Sequence, residues 1–300
     1  MKLLVTGGTV YVSKYTAEYF VRKGHEVYVL NRGNHPQVEG VKLIKGDRKN
    51  LGDTLKHHHF DAVLDINSYT GEDVKLLTAA IGSFDTYIFI SSSAVYPETN
   101  VQPFTEEQTI GANSVWGNYG TNKIDAEEYL FANYPSVYAL RPPYLYGRMN
   151  NIYREAFIFD CADKDLPFPL PKDGSLPLQF FDTEDLCRFM EILLEKKPER
   201  KVFNVGNDST VSIKEWVTLC YAAAGKVPTF YSVDASVDQN DYFPFPDYGY
   251  VLGVERQKEL MGGLKSMEQG LKESYEWYKA NPDEMKYAPY LDYIAKHLQK

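Results

Sequence analysis

No apolar run in this chain approaches the ~18 residues that a membrane span requires, and the apolar part of Met1–Val5 is too short for a secretory signal. A cytoplasmic protein with no membrane partner is expected. Cysteine is scarce: Cys161, Cys187 and Cys220 are odd in number, widely separated and without Cys-x-x-Cys spacing, so neither a disulfide framework nor a zinc site follows. Positive charge is in deficit too. Against 41 Asp and Glu stand 32 Lys and Arg, a net charge of -9, so a phosphate backbone is repelled on average and nucleic acid is not an expected partner. Three of only 6 histidines fall in His57-His58-His59. Adjacent residues project in different directions, so the run by itself makes no ligand set and no metal is expected. Internal repeats and low-complexity segments are absent.

What is present is enough apolar material for a large core, 44% of 300 residues, in one large or two unequal domains. Near-continuous apolar runs at 3–6, 27–30, 41–44, 62–66, 87–90, 137–140 and 202–205 read as strands covered on both faces. Helical periodicity separates them at 16–23, 72–80, 123–132 and 185–194. This alternation predicts an α/β fold, a doubly wound parallel sheet of Rossmann type, with a smaller C-terminal α/β substrate lobe. Pro and Gly in 166–178 interrupt it, so the dinucleotide-binding domain is expected over 1–165 with 179–208 returning to it. The substrate lobe is then 166–178 and 209–300. Aromatics in 243–248 are expected as core packing between the lobes.

The first strand runs into Thr6-Gly7-Gly8-Thr9-Val10-Tyr11, a glycine-rich turn whose amides and following helix can face a pyrophosphate. In a full Gly-x-x-Gly-x-x-Gly pattern the later glycines fall at Val10 and Ser13. Ser13 is small enough for close packing, whereas Val10 puts a branched side chain where the backbone approaches phosphates. After the second strand, Asn31-Arg32-Gly33 replaces the acid that usually meets a ribose 2'-hydroxyl. A guanidinium suits a 2'-phosphate, so NADP is the first expectation, with NAD as the alternative. Asp47-Arg48 is placed to meet the adenine ring.

Tyr119 and Lys123 stand four residues apart, behind the run Ser91-Ser92-Ser93. A phenol titrates near ~10 in water, so neutral-pH acid/base work needs a nearby ammonium, which Lys at i+4 on a helix supplies. The same spacing occurs at Tyr19/Lys23 and Tyr275/Lys279 in a chain with 24 tyrosines. Only Tyr119 has the serines and the glycine-rich turn as context.

Taken in order, Thr6-Gly7-Gly8-Thr9, Gly46-Asp47-Arg48, Ser91 to Tyr96, Tyr119 to Lys123, Leu140 to Gly147, Phe181 to Leu186 and Phe203 to Gly206 resemble the extended short-chain dehydrogenase/reductase family. Its members include sugar-nucleotide epimerases, dehydratases and related reductases. The closest likeness is to the NAD-dependent epimerase/dehydratase branch similar to chloroplast stem-loop RNA-binding proteins. There the turn reads Gly-Gly-Thr-x-Phe-x-Gly, with the second glycine already lost. The resemblance implies that Tyr119 is the acid/base phenol. Lys123 lowers its pKa and holds the nicotinamide ribose, and Ser92 hydrogen-bonds the reacting oxygen. Cofactor contacts are expected from Gly7, Gly8, Thr9, Val10, Tyr11, Asn31, Arg32, Asp47, Arg48, Ile66, Asn67, Ser68, Ser91 and Pro142. Dehydratases of the family carry an Asp-Glu pair where this chain has Ser93 and Ala94, so epimerisation or carbonyl reduction fits better than loss of water.

The expectation is an NAD(P)-dependent epimerase or oxidoreductase acting on a sugar nucleotide or other small polar substrate. The alternative is a non-catalytic relative that keeps the fold for nucleotide sensing or RNA binding. Pairing into a homodimer is permitted by an apolar face on 123–132 and not required by it.

Overall fold

The computed structural model describes residues 1–298. Seven parallel strands form the central sheet: β1 (Lys2–Thr6), β2 (Glu26–Asn31), β3 (Lys42–Lys45), β4 (His59–Asp65), β5 (Ser83–Ile90), β6 (Val137–Arg141) and the strand Val202–Asn204. Their order from one edge is Val202–Asn204, β6, β5, β4, β1, β2, β3. Chain order therefore reverses between β1 and β4, and the crevice beyond their carboxyl ends is where doubly wound sheets bind ligands.

Every expected strand of this sheet forms; the inner ones are short apolar runs largely buried on both faces, whereas the edge strand β3 buries only Ile44. Successive residues Leu3, Leu4 and Val5 of β1, and Ala62, Val63 and Leu64 of β4, are all fully buried. On one side α2 (Gly71–Ala80) and α3 (Asn118–Asn133) bring Val74, Leu77, Ala126 and Leu130 into the cluster around Val63, Tyr87 and Phe89. Elsewhere α1 (Tyr11–Arg22) packs beside the helix Thr183–Lys196, where the Tyr19 hydroxyl donates to Glu191 at 2.7 Å. Two helices start earlier than periodicity indicates: α1 at Tyr11 and α3 at Asn118. Turn geometry sets those starts, and the polar first turn of α3 carries no apolar signal.

The chain divides into two units. The first comprises Met1–Pro143, Thr183–Gly206 and Leu252–Gly263; the second comprises Tyr144–Asp182, Asn207–Val251 and Leu264–Lys300. The division differs from the expected one. The chain leaves the first unit at Pro143 rather than at 165, because Tyr144–Tyr146 pairs in parallel with Phe180–Asp182 instead of extending the large sheet. It returns at Thr183 and a second time at Leu252–Gly263, where Gln257 exchanges hydrogen bonds with the backbone of Gly206.

The second unit is built on the helices Glu155–Asp163, Ile213–Ala223 and Met267–Ala280 and on short strand pairs. Its core is aromatic, with Trp216 stacked on Phe180 at 3.7 Å between ring centroids. Phe243 and Phe245 are buried within this unit. All three cysteines are buried thiols outside any disulfide. No helix of the described residues is long and apolar enough to cross a membrane.

Candidate active site

All seventeen expected site residues lie in the first unit, around the carboxyl ends of its strands. Gly8 has φ +85, and a Cβ there would stand 2.5 Å from Val29 Cγ1, so no other residue fits without moving β2. Val10 is in ordinary extended conformation, φ -137 and ψ 132. Its backbone does not need glycine; what its side chain removes is room. Conformational strain falls on the next residue instead. Tyr11 has φ +39, which costs about 1–3 kcal/mol for a non-glycine residue, and it is held there by burial and by a 3.3 Å bond from the Thr183 hydroxyl.

Helix α1 has no side-chain cap and no acidic residue in its first turn. Its positive dipole end therefore meets no acidic side chain of its own first turn and suits an anion. Ser13, in place of the third glycine, donates its hydroxyl to the Val10 carbonyl at 2.8 Å. Asn31 ties this turn to the end of β2, donating to the Gly7 carbonyl at 2.7 Å and accepting from the Gly33 amide at 2.9 Å. Arg32 beside it is exposed and makes no hydrogen bond or ion pair among the described residues. Arg48, by contrast, is committed inward. Its guanidinium donates to the Asn67 carbonyl at 3.2 Å and to the Asn67 side chain, and stands 3.7 Å from Asp65 and 3.9 Å from Asp73. Asp47 closes a turn, accepting from the Lys49 and Asn50 amides.

The catalytic candidates occupy adjoining segments. Lys123 is only 2% exposed, and its ammonium donates to the Ser68 and Ile90 carbonyls, both at 2.7 Å. Three rings complete its surroundings: Phe89 at 4.7 Å, Tyr69 at 5.2 Å and Tyr119 at 5.9 Å from ring centroid to Nζ. Burial pushes the Lys123 ammonium down to about 8, against the pull of the Asp65 and Glu127 carboxylates. Tyr119, one turn earlier on α3, is 40% exposed, with its ring 6.3 Å from that of Tyr69. The phenol is open to solvent rather than packed inside.

Ser92 ends the segment after β5, and its Oγ accepts from the Ala94 amide at 3.1 Å, which leaves the hydroxyl proton free to donate elsewhere. A Cβ on Gly120 would lie 2.2 Å from the Ala94 carbonyl, so α3 touches the serine turn backbone to backbone. Only glycine after Tyr119 permits that approach. Two further hydroxyls, Ser68 and Ser91, are buried and without a hydrogen-bond partner among the described residues. Ser93 donates its amide to the Pro142 carbonyl at 3.0 Å, which places Pro142 behind the serine turn.

Several supporting residues escape a reading of motifs. Buried Asp65, at the end of β4, accepts from the hydroxyls of Thr6 at 2.8 Å and Tyr87 at 2.6 Å. The Thr6 hydroxyl in turn accepts from the amides of Ile66 at 2.9 Å and Asn67 at 3.3 Å. One carboxylate thus fixes the loop whose Ser68 carbonyl holds Lys123. Glu127, the next turn of α3, forms a buried bidentate pair with Arg141 of β6, and Arg141 also donates to the Tyr96 hydroxyl at 2.9 Å. Glu127 could have been found as a carboxylate at i+4 from Lys123; its partner could not.

The chain matches the NAD dependent epimerase/dehydratase family over residues 3–206. It is 28% identical to the chloroplast stem-loop binding protein of 41 kDa b from Arabidopsis thaliana, over 91% of this chain and 78% of that protein. It is 25% identical to a UDP-glucose 4-epimerase from Corynebacterium glutamicum, over 75% of this chain and 81% of that one. Among solved structures, the UDP-glucuronic acid 4-epimerase from Bacillus cereus, in complex with UDP-glucuronic acid and NAD, superposes with a TM-score of 0.72 at 18% identity. That match covers 93% of this chain and 99% of that one, and shows a shared fold. With a family match extending over two-thirds of its length, this chain belongs to the NAD dependent epimerase/dehydratase family.

Proposed function

We infer that this protein is an NAD(P)-dependent epimerase or reductase that moves a proton on a sugar nucleotide, or another small polar carbonyl or alcohol, through Ser92, Tyr119 and Lys123. The observation that carries this reading is Lys123: an ammonium buried between two carbonyls, one helical turn from an exposed phenol. A scaffold has no use for so costly a buried charge.

Gly7 and Gly8, the uncapped start of α1 and the unpartnered Ser68 and Ser91 hydroxyls fit a dinucleotide. When bound, its nicotinamide supplies or accepts the hydride. The chain's own part is proton transfer and positioning. Ser92 donates its hydroxyl hydrogen to the reacting oxygen. Tyr119 gives its phenolic proton to that oxygen during reduction and recovers it during oxidation. Lys123 favours the phenolate by its charge. Arg32, exposed and unpaired, supports a preference for NADP through its 2'-phosphate, although NAD occupies the solved Bacillus cereus relative. A cytoplasmic location belongs to the same reading.

Incubation with UDP-sugars and either dinucleotide, followed by separation of products, tests it. Conversion by the wild type and a turnover roughly 10²–10⁴-fold lower in Tyr119→Phe are expected; equal turnover by both removes Tyr119 from the reaction. Mass measurement of the purified protein separates the two activities. A tightly retained dinucleotide identifies an epimerase, and an exchangeable one a reductase. Likeness to a stem-loop binding protein is what favours the second reading, a fold kept for nucleotide or RNA binding.

A further inference from the structure

The His57-His58-His59 run ends in a strand, and its last member acquires partners from the sheet. β4 and β5 start at the amino edge, opposite the edge that carries Gly7, Ser92 and Lys123. Their register pairs His59 with Ser83 and Ala62 with Thr86, so Asp61 stands beside Asp85. Side chains alternate along a strand, which places His59 and Asp61 on one face with Ser83 and Asp85. His59 Nδ1 lies 2.8 Å from the Ser83 hydroxyl, and its Nε2 lies 3.6 Å from an oxygen of Asp85. One ligand atom from each of His59, Asp61 and Asp85 falls within 4.8 Å of the other two.

Charge supplies an independent argument. Neither carboxylate is ion-paired to a Lys or Arg among the described residues. Lys2, the neighbour on β1, instead extends its ammonium over the rings of Tyr28 and Phe60, at 5.1 and 5.2 Å, and only its backbone N–H donates to Asp61, at 2.6 Å. Two like charges are thus held beside one imidazole with no fixed cation. A ring nitrogen and two carboxylate oxygens are the donor set of a borderline divalent ion. Zinc bonded at ordinary lengths holds neighbouring ligand atoms roughly 3.4 Å apart, near the spacing of His59 and Asp85. Rotation of the Asp61 side chain closes the remainder.

We propose that His59, Asp61 and Asp85 form a surface site for a divalent cation of zinc type, with Ser83 orienting the imidazole and water completing the coordination. The ion joins β4 to β5 at the edge remote from the reaction. Calorimetric titration of zinc chloride into the metal-free full-length protein tests the site. One saturable ion per chain is expected. Binding is abolished in His59→Ala and Asp85→Asn, weakened about tenfold in Ser83→Ala, and unchanged in His57→Ala. Absence of saturable binding by the wild type overturns the proposal, as does wild-type affinity in His59→Ala or Asp85→Asn. So does an equal loss in His57→Ala, which assigns the ion to the histidine run alone. If His59→Ala does not fold by circular dichroism, Asp85→Asn and Ser83→Ala decide.

Discussion

Lys123 carries two consequences. Its ammonium titrates at about 8 in the folded protein, below its ordinary value of 10.5, so above that point the phenol of Tyr119 loses its cationic neighbour. The kcat/KM profile is therefore expected to fall on an alkaline limb near pH 8, and Lys123→Met to remove the limb along with most activity. The stability sign runs with it. Between about 8 and 10.5 the unfolded chain binds more protons than the folded one, so Lys123 makes stability rise with pH over that window. Urea denaturation at intervals across it checks this, and Lys123→Met should flatten the rise. Tyr119→Phe is expected to lower turnover by roughly 10²–10⁴-fold, the usual range for losing a positioned acid/base, with no change in denaturation midpoint. Arg32→Ala should weaken NADP about tenfold or more while sparing NAD, measured by fluorescence titration.

Helix α3 carries both the Tyr119 phenol and the Lys123 ammonium of the candidate site, and two contacts seat it. Gly120 sits against the Ala94 carbonyl, and the Glu127–Arg141 pair locks the following turn to β6. Gly120→Ala is expected to push the helix off the serine turn. It should cost about 1–3 kcal/mol and lower kcat more than it raises KM. Arg141→Met leaves Glu127 buried without its partner and should cost about 3–5 kcal/mol. Arg141→Met with Glu127→Leu should recover most of that loss in chemical denaturation, since a buried pair adds little over apolar packing. Recovery of stability without recovery of kcat would show that the pair positions α3 as well as holding it.

A chain of net charge -9 is expected to give no salt-dependent complex with a stem-loop RNA in a gel-shift assay at physiological ionic strength, despite its likeness to a stem-loop binding protein. Runs such as Val27 to Leu30 and Tyr87 to Ile90 announce the central sheet because a strand covered on both faces must be apolar throughout. The candidate positions Gly7, Gly8, Ser92, Tyr119 and Lys123 stood out for a similar reason: the proposed chemistry asks for those residue types, and turn or helix geometry sets their spacing. Local rules stop there. That Tyr144 opens a second unit, that Arg141 meets Glu127, and that His59 stands near Asp85 depend on which strands become neighbours. Those pairings link residues remote along the chain, and they are chosen by the packing of the entire sheet and not by any segment of it.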